Sequence, residues 1–491
     1  MPLKNFCRKL ALFVVFLLAL CWRVCRNPSA GLFDHGLHSQ ESAPSVIITS
    51  VTPIDWTGSP PINGVDVLIQ RDRILRIGKG LAPPAGSIVV NGLGKFLIPG
   101  LWDMHVHLTG LSADPKWDRD RLLPLLVANG ITGVRDMGGD LTALKEWKQQ
   151  TSSGKLLGPE MVIAGPMLDG ESDDPSVLKI GTPDEARDRV KELQADGVDF
   201  IKILSGLNRD TYFAVAKESR KRGMTFVGHV PPLVGTGEAS DAGQKSLEHI
   251  LYGGFTIACS SQEEKLRKEL ATSMQSGAIM AMAKVEDEAA ATFDPQKAQS
   301  LWKVLAQNGT WVVPTLSSVY VHSQMDRLVT EDPAADYLPR TMSSQWTKDA
   351  LRRALQPEKL AWYQKELIRE IALVRQMHAA GVRILAGTDS LDPHHVVGFS
   401  LPKELELLVD SGFTPLEAIE AATIKPAHFL GLPDHGSIRE GSVANLVLLD
   451  ANPLEEIGNV RKIDAVVLRG KLLTKTDLSR LLQDLRLRPP Q

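Results

Sequence analysis

Apolar runs typical of β-strands alternate with longer helical patterns from about residue 98 to residue 430. This alternation indicates repeated βα units, which build a parallel sheet or a barrel. Helices between the runs have recognisable starts, because Thr182 and Thr414 each precede a proline and stand three residues before a glutamate. The sequence therefore predicts an α/β fold with a (β/α)8 barrel of the TIM type. Its eight strands are expected at 101–107, 133–137, 161–165, 199–204, 225–229, 246–249, 311–316 and 382–389.

Short strand-like runs, separated by glycine and proline clusters, flank this region on both sides. We expect residues 45–97 and 432–475 to combine into one small β-sandwich domain, to which both chain ends contribute. The barrel is predicted over residues 98–431. The other predicted segments are helical insertions at about 255–305 and 318–375, which would cover one barrel mouth, and a tail helix at 476–491.

Composition and charge narrow the class of partner. With 491 residues, of which 43% are hydrophobic, the chain is long enough for one barrel and a smaller domain. The 55 basic and 58 acidic residues give a formal charge of −3, and no basic stripe with interleaved aromatic residues is present. We therefore expect a small-molecule substrate and no nucleic-acid partner.

The first 30 residues have the pattern of a secretory signal. Lys4, Arg8 and Lys9 precede an apolar run over residues 10–22, which is shorter than a full membrane span. Export to the periplasm or the extracellular space is predicted. Basic residues after the run leave an uncleaved N-terminal membrane anchor open, and Leu20 before Cys21 argues against lipidation. Cleavage after residue 30 would leave Cys259 as the sole cysteine, so no disulfide within the chain is expected.

Two histidines one residue apart lie at the end of the first predicted strand. Side chains at alternate positions of a strand point to the same face, so the imidazoles of His105 and His107 lie side by side. Such a pair is half of a metal site, although the pattern alone also fits two solvated or core histidines. Asp103 shares their parity, and we expect it to brace one of the two rings.

Four further polar residues stand at the ends of other predicted strands. Lys202 lies in an apolar run, where burial lowers the pKa of an ammonium group unless it reaches solvent or pairs with Asp199. His229 and His249 close two more runs, and Asp389 closes the last one, where it could also be a cap. Because barrel active sites are built at the carboxyl ends of the strands, these positions predict one catalytic site.

These stretches together resemble the amidohydrolase superfamily, in particular its imidazolonepropionase-like and Xaa-Pro dipeptidase-like branch. The resemblance extends over residues 45–475. The matching stretches are Ile98-Pro-Gly-Leu-Trp-Asp-Met-His-Val-His107, Gly130-Ile-Thr-Gly-Val-Arg-Asp136, Phe200-Ile-Lys-Ile203, Gly228-His229, Ser246-Leu-Glu-His249, Val313-Pro-Thr-Leu316, Gly387-Thr-Asp389 and Gly436-Ser-Ile438.

The resemblance implies a centre of two divalent metal ions, most often Zn²⁺ with imidazole and carboxylate ligands. A carbamate on Lys202 would bridge both ions, and two ions about 3.5–4 Å apart can share and acidify one hydroxide. We expect this hydroxide to attack a carbonyl, while Asp389 takes its proton and passes it to the leaving amine. The implied ligands are His105, His107 and Asp389 for the first ion, His229 and His249 for the second, and the carboxylated Lys202 for both.

The chain also departs from the family pattern. Relatives often show Ser-Leu-His-x-Glu-Leu after the aspartate, whereas this chain has Pro402 in place of the histidine, which puts transfer of their substrates in doubt. Weaker candidates for substrate contact are Tyr252 and His395, the latter beside His394. Arg135 and Asp136 are expected to form a buried ion pair that supports the first strand. His428 is expected to be structural.

The function predicted from the sequence is metal-dependent hydrolysis of an amide bond in a dipeptide or an N-acyl amino acid. Hydrolysis of a cyclic amide or a lactone at the same metal ions is the alternative reaction. A non-catalytic scaffold would lack ligands, and none of the implied ligands is missing here. A homo-oligomer remains compatible with the sequence.

Overall fold

Three β-sheets organise the described part of the computed structural model, which covers residues 44–54, 63–110, 114–275, 279–339, 345, 348, 352, 356–390 and 394–487. The predicted leader over residues 1–30 lies outside these residues. The strands are β1 Val46–Pro53, β2 Val65–Gln70, β3 Arg73–Gly78, β4 Ile88–Asn91, β5 Phe96–Pro99, β6 Leu101–Val106, β7 Ile131–Asp136, β8 Glu160–Ile163, β9 Met167–Asp169, β10 Val177–Lys179, β11 Ile201–Ile203, β12 Phe226–Gly228, β13 Ser246–Glu248, β14 Trp311–Val313, β15 Arg383–Ile384, β16 Leu446–Leu449, β17 Ile463–Leu468 and β18 Lys471–Thr474.

One mixed sheet combines strands from both ends of the described chain. Its order is β18-β17-β16-β5-β1-β2-β3, with β4 pairing in parallel with β1. The central antiparallel pair of β16 and β5 places Leu446 opposite Pro99 and Val447 opposite Ile98. Alternate residues of these two strands pack into two different hydrophobic cores. Leu97 and Leu446 pack into the core of the small β layer, while Ile98 and Val447 pack into the core of the barrel.

The remaining strands are parallel and form the predicted barrel. They make two sheets, of order β6-β7-β8 and β10-β9-β11-β12-β13-β14-β15. Backbone hydrogen bonds join these sheets at both edges, from Met104 N to Ala386 O at 3.0 Å and from Asp199 N to Ile163 O at 2.9 Å. All eight predicted runs contain a strand, and the predicted α/β barrel with an added β layer is confirmed. The short strands β9 and β10 were not predicted.

Helices follow most of the barrel strands. The capping boxes predicted at Thr182 and Thr414 are both present. The helices are α1 Pro115–Ala128, α2 Leu141–Ser152, α3 Pro183–Asp196, α4 Arg209–Arg222, α5 Thr236–Asp241, α6 Phe255–Ala258, α7 Glu263–Gln275, α8 Ile279–Ala291, α9 Pro295–Asn308, α10 Leu316–Ser323, α11 Met325–Glu331, α12 Pro357–Ala379, α13 Leu401–Asp410, α14 Pro415–Ala421, α15 Ile424–Leu430 and α16 Lys475–Leu485, with 3₁₀ turns at Pro333–Tyr337 and Ile457–Arg461.

Carboxylates are buried between two of these helices. Glu286 of α8 and both Glu366 and Glu370 of α12 are fully buried. Arg369 binds Glu366 and also Asp287, which joins the two helices. Burial, followed by the charge of Glu366, raises the pKa of Glu286 to about 8.

Two further findings concern the cysteine and the helices of the described chain. Cys259 is buried and free. Of the helices described, none is long and apolar enough to cross a bilayer.

Candidate active site and metal centre

The carboxyl ends of the barrel strands bring the six predicted ligands to one cavity of about 1480 Å³. Each position follows from the strand that carries it, because a parallel barrel collects the carboxyl ends of its strands on one face. Tyr252 lines the same cavity. The six residues are His105 and His107 at the end of β6, Lys202 on β11, His229 after β12, His249 after β13 and Asp389 after β15.

His105, His107 and Asp389 form a compact group that could hold a metal ion. One potential ligand atom from each residue lies within 4.8 Å of those of the other two. Asp389 Oδ1 is 3.2 Å from His105 Nε2 and 3.5 Å from His107 Nε2. His105 Nε2 is buried and makes no hydrogen bond to any described residue. A buried nitrogen without a hydrogen-bond partner, beside a carboxylate, suits metal coordination.

His229, His249 and Lys202 line the same cavity as this group. The ring centroids of His229 and His249 are 5.0 Å apart, and His249 is 4.8 Å from His105. Burial lowers the pKa of His249 to about 3 and holds that of His229 well below its usual value. Both rings are therefore neutral at neutral pH, which is the form that binds metals.

Lys202 is almost completely buried, with 1% of its surface exposed. Burial lowers the pKa of its ammonium group to about 8, which increases the neutral fraction at neutral pH. Asp199 does not neutralise it, because the Asp199 carboxylate lies 2.6 Å from Lys148 Nζ. Lys202 is therefore a buried amine that faces the cavity.

The four histidines share one pattern of hydrogen bonding, in which Nδ1 is occupied and Nε2 is the nitrogen left for another ligand. Metal-binding histidines typically have the nitrogen that does not bind metal held in this way, which fixes the tautomer and the ring orientation. The partners of Nδ1 are Glu248 Oε2 at 3.0 Å for His105, Gly138 O at 3.0 Å for His107, Ser205 Oγ at 2.9 Å for His229 and Thr315 Oγ1 at 2.7 Å for His249.

A buried ion pair supports His105 on the side away from the cavity. Arg135 Nη2 donates to both oxygens of Glu248 at 2.9 Å, and Arg135 Nε donates to the carbonyl of Met104 in β6. Burial alone would raise the pKa of Glu248, but Arg135 and His105 hold it well below its usual value. The carboxylate is therefore ionised and accepts from His105 Nδ1.

The predicted pairing of Arg135 with Asp136 is wrong. Consecutive strand residues point to opposite faces, so the two side chains diverge. Arg135 points into the barrel, whereas Asp136 accepts backbone hydrogen bonds from Leu108 N at 2.9 Å and Gly138 N at 3.1 Å. Arg135 still supports the first strand as expected, through Met104.

The expectation that Asp103 braces one of the two histidine rings is wrong, because its carboxylate binds backbone and hydroxyl groups instead. Its Oδ1 accepts from His105 N at 3.2 Å and Thr388 N at 2.9 Å, and its Oδ2 accepts from Thr388 Oγ1 at 2.8 Å. The residue before Asp389 is thereby tied to the residue that carries the first histidine. Burial raises the pKa of Asp103 to about 7.

Three non-glycine residues of the centre adopt left-handed backbone conformations. The φ angles are 61° for His249, 52° for Thr315 and 65° for Asp389. This region is unfavourable for most residues and especially for β-branched threonine. Strain of this kind persists where the surrounding structure imposes it. Here it accompanies His249 and Asp389, which line the cavity, and Thr315, whose hydroxyl holds the His249 ring.

Tyr252 and His395, the weaker candidates for substrate contact, differ in where the structure places them. Tyr252 stacks on the His229 ring with a centroid distance of 4.8 Å and is 37% exposed. His395 is buried, its Nε2 lies 3.2 Å from Ser317 Oγ, and it is absent from the described residues that line the cavity. His394 lies 3.0 Å from Asp332 through Nδ1, and His428 is exposed on α15.

Sequence reasoning missed Glu248, Ser205 and Thr315, which hold three of the four rings. The position of Glu248 could have been recognised in the sequence, because it directly precedes His249 on a predicted strand. The alternation of side chains along that strand places Glu248 on the face that points into the barrel, where Arg135 also points. Ser205 and Thr315 belong to strand-to-helix loops, and no periodicity there indicates which ring each hydroxyl meets.

Comparison with known proteins identifies the relatives of this arrangement. The amidohydrolase family model matches residues 96–473. Ochratoxinase of Aspergillus niger is 24% identical over 422 residues, which cover 74% of this chain and 71% of that protein. The fold is similar to that of a bottromycin amidohydrolase, with a TM-score of 0.72 and 21% identity over 90% of this chain and 89% of the other. It is also similar to a Xaa-Pro dipeptidase solved with methionine in its active site, with a TM-score of 0.63 and 20% identity over 88% and 100% of the two chains.

Proposed function

The chain belongs to the amidohydrolase family, and on that premise we propose that it hydrolyses the amide bond of a dipeptide or an N-acyl amino acid at a centre of two divalent metal ions. The observation that carries this proposal is the shared state of the four histidines. In each of them Nδ1 is held by a protein oxygen, so Nε2 is available at the same cavity. A merely structural cluster of histidines has no need of this uniform arrangement.

The donor set fits two ions. His105, His107 and Asp389 would hold one ion, and His229 and His249 the other, with Lys202 as a shared ligand. When bound, two divalent ions supply a Lewis acid for the carbonyl and lower the pKa of water. Neutral imidazoles with a carboxylate favour Zn²⁺.

Lys202 takes part in this proposal as a carbamate. The neutral amine would attack the carbon of carbon dioxide. A nitrogen–carbon bond forms, the electrons of one carbon–oxygen π bond move onto oxygen, and one of the two protons of the amine nitrogen is released to solvent. Burial at 1% exposure favours the neutral amine that this step needs. The product carries two anionic oxygens on one side chain, which a lysine ammonium cannot offer.

Asp389 is the group that moves the proton. Its Oδ1 faces His105 and His107, whereas its Oδ2 lies 3.8 Å from His249 Nδ1, on the side of the second pair of ligands. Asp389 would accept the proton of the attacking water and return it to the leaving amine nitrogen. Its carboxylate is held in place by the backbone bond from Asp389 N to His105 O at 2.7 Å.

The lining of the cavity favours neutral or cationic substrates. The cavity, at about 1480 Å³, exceeds the usual range of about 300–1,000 Å³ for small-molecule sites, so it has room beyond a dipeptide. Among the described lining residues Lys202 is the sole lysine or arginine. Four carboxylates also line the cavity, from Asp140 after β7, from Asp169 at the end of β9, and from Glu171 and Asp174 after β9. These would attract a cationic group and repel an acidic one at a distance from the reacting carbonyl.

The proposal is tested by measuring the metal-to-protein ratio together with amide hydrolysis in histidine variants. His229→Asn and His249→Asn should each reduce the bound metal by about one ion and abolish hydrolysis. His378→Gln is the matched control, because this histidine stacks on Phe413 at a centroid distance of 3.8 Å and lies outside the cavity. Unchanged metal content and activity in both active-site variants would exclude the proposed centre.

We propose in addition that residues 1–30 direct export, on the charge order and the apolar run of that segment. Expression with and without this segment, followed by cell fractionation, tests the proposal. Recovery of the full chain in the cytosolic fraction would exclude it.

A further inference from the structure

A second cavity, of about 590 Å³, lies at the amino ends of the barrel strands, on the opposite side from the candidate metal centre. Its walls come from the beginnings of β8 and β11, the residues before β12 and β13, and α15. Arg469, between β17 and β18, contributes from the mixed sheet. The volume lies within the range of small-molecule sites, about 300–1,000 Å³.

The acidic residues that line this cavity each have a cationic partner. Glu160 lies 3.0 Å from His435 Nε2, and Asp199 lies 2.6 Å from Lys148 Nζ. Asp72 lies 3.4 Å from the guanidinium of Arg73. Arg73 and His435 also pair with Asp434, which lies outside the lining, so the lining carboxylates have cationic neighbours but share two of them with a further carboxylate.

Two lining cations lack such a partner within the described chain. Lys245 Nζ donates to the carbonyl of Phe429 at 2.6 Å, and Arg469 Nη2 donates to the carbonyl of Gly158 at 3.3 Å. Arg469 Nη1 is buried and has no hydrogen-bond partner in the part of the chain that the structure describes. Burial lowers the pKa of both Lys245 and Arg469. In Arg469 the negative charge of Glu160 acts in the opposite direction and raises the pKa. Both side chains are partly exposed and neither forms an ion pair with a described residue, so the two cations are available to an anion that enters the cavity.

The rest of the lining is apolar and partly aromatic. Met161, Phe200, Phe429, Leu430 and Leu432 face the same space. Phe200 and Phe429 also pack against Arg135, with its guanidinium carbon 5.7 and 5.0 Å from the two ring centroids. These rings therefore stand between the cavity and the ion pair that holds His105, and a ligand here would not touch the metal centre.

We propose that this second cavity binds a small organic carboxylate, with its carboxylate between Lys245 and Arg469 and its apolar or aromatic body against Phe200, Phe429 and Met161. Guanidinium and ammonium groups together satisfy a carboxylate by charge-assisted hydrogen bonds. The aromatic walls supply the contact area for the body of the ligand. The site is independent of the proposed hydrolysis.

Isothermal titration of the metal-loaded protein with phenylacetate tests the proposal. Phenylacetate should bind, and phenylacetamide, which has the same shape without the charge, should bind at least about tenfold more weakly. This comparison uses the parent chain alone and does not depend on the folding of any variant. Equal affinity for the two compounds, or no binding of either, would overturn the proposal.

Variants locate the binding event. Lys245→Met and Arg469→Gln should each weaken phenylacetate binding about tenfold, whereas Lys217→Met, which removes an exposed charge from α4, should not change it. Asp389→Asn alters the metal centre and should also leave the affinity unchanged. Loss of binding in Asp389→Asn with retention in Lys245→Met and Arg469→Gln would assign the ligand to the metal centre and refute the second site.

Discussion

Replacing Glu248 with glutamine tests how the candidate metal centre is supported. The Glu248 carboxylate accepts from Arg135 Nη2 at 2.9 Å on both oxygens and from His105 Nδ1 at 3.0 Å, and all three side chains are fully buried. Glutamine keeps the shape and a carbonyl acceptor for His105, but it leaves the Arg135 guanidinium without an anion. Breaking a buried ion pair from one side costs about 3–5 kcal/mol. We expect the free energy of unfolding to fall by about that amount.

Equilibrium urea unfolding of the metal-loaded protein measures this change. Glu192→Gln is the matched control, because its pair with Arg189 is about half exposed and should contribute within about 1 kcal/mol. Adding Arg135→Gln to Glu248→Gln should recover part of the stability, since the uncompensated charge is then removed. Parent-like stability of Glu248→Gln would refute the reasoning.

Four further outcomes are expected. Asp389→Asn should keep at least one metal ion and lose turnover, as measured by elemental analysis and a hydrolysis assay; full activity would remove Asp389 from its proton-transfer role. Ser205→Ala should weaken metal binding about 10- to 100-fold, because His229 Nδ1 loses its partner, whereas Ser152→Ala on the surface of α2 should not, and equal metal affinities would deny the serine this role. Dipeptides with a lysine side chain should be cleaved with higher kcat/KM than those with a glutamate; the reverse order would show that the acidic lining does not select substrates. The pKa of Glu286 is about 4.5 in the unfolded chain and about 8 in the folded one, so unfolding releases its proton between these pH values and the stability of the parent falls as pH rises through this window. Glu286→Gln should therefore gain thermal stability relative to the parent as pH rises from 5 to 8, and a stability difference that is independent of pH would contradict the raised pKa.

The barrel could be predicted from the sequence because its strands, even those of two or three residues, lie within longer apolar runs that alternate with helical patterns, and five of these runs carry a candidate ligand at or near the carboxyl end. His105 and His107 could be assigned to one face because the side-chain period of a strand is two. Strands β9 and β10 could not be predicted, since three residues of each pair in a segment rich in glycine, proline and aspartate. Local patterns of that length do not distinguish a strand from a loop.

The supporting contacts of the site were harder to predict than the positions of the six candidate ligands at one cavity. Arg135 has Asp136 beside it in the sequence, yet its carboxylate partner is Glu248, which lies 113 residues away. Strand geometry separates neighbours and joins residues on different strands that face the barrel interior. Thr315 and Ser205 reach the histidine rings through loop conformations, including the left-handed backbone of Thr315. Such contacts depend on tertiary structure and leave no periodic signal.

The central claim is that metal ions held by this centre hydrolyse an amide bond. Its most direct test is the release of free amino acids, followed by mass spectrometry, from a mixed library of dipeptides and N-acyl amino acids. The zinc-loaded protein should release amino acids, the release should stop after chelation, and it should recover when zinc and bicarbonate are restored. Release that persists after all metal has been removed would contradict the claim, as would the absence of release from fully metal-loaded protein.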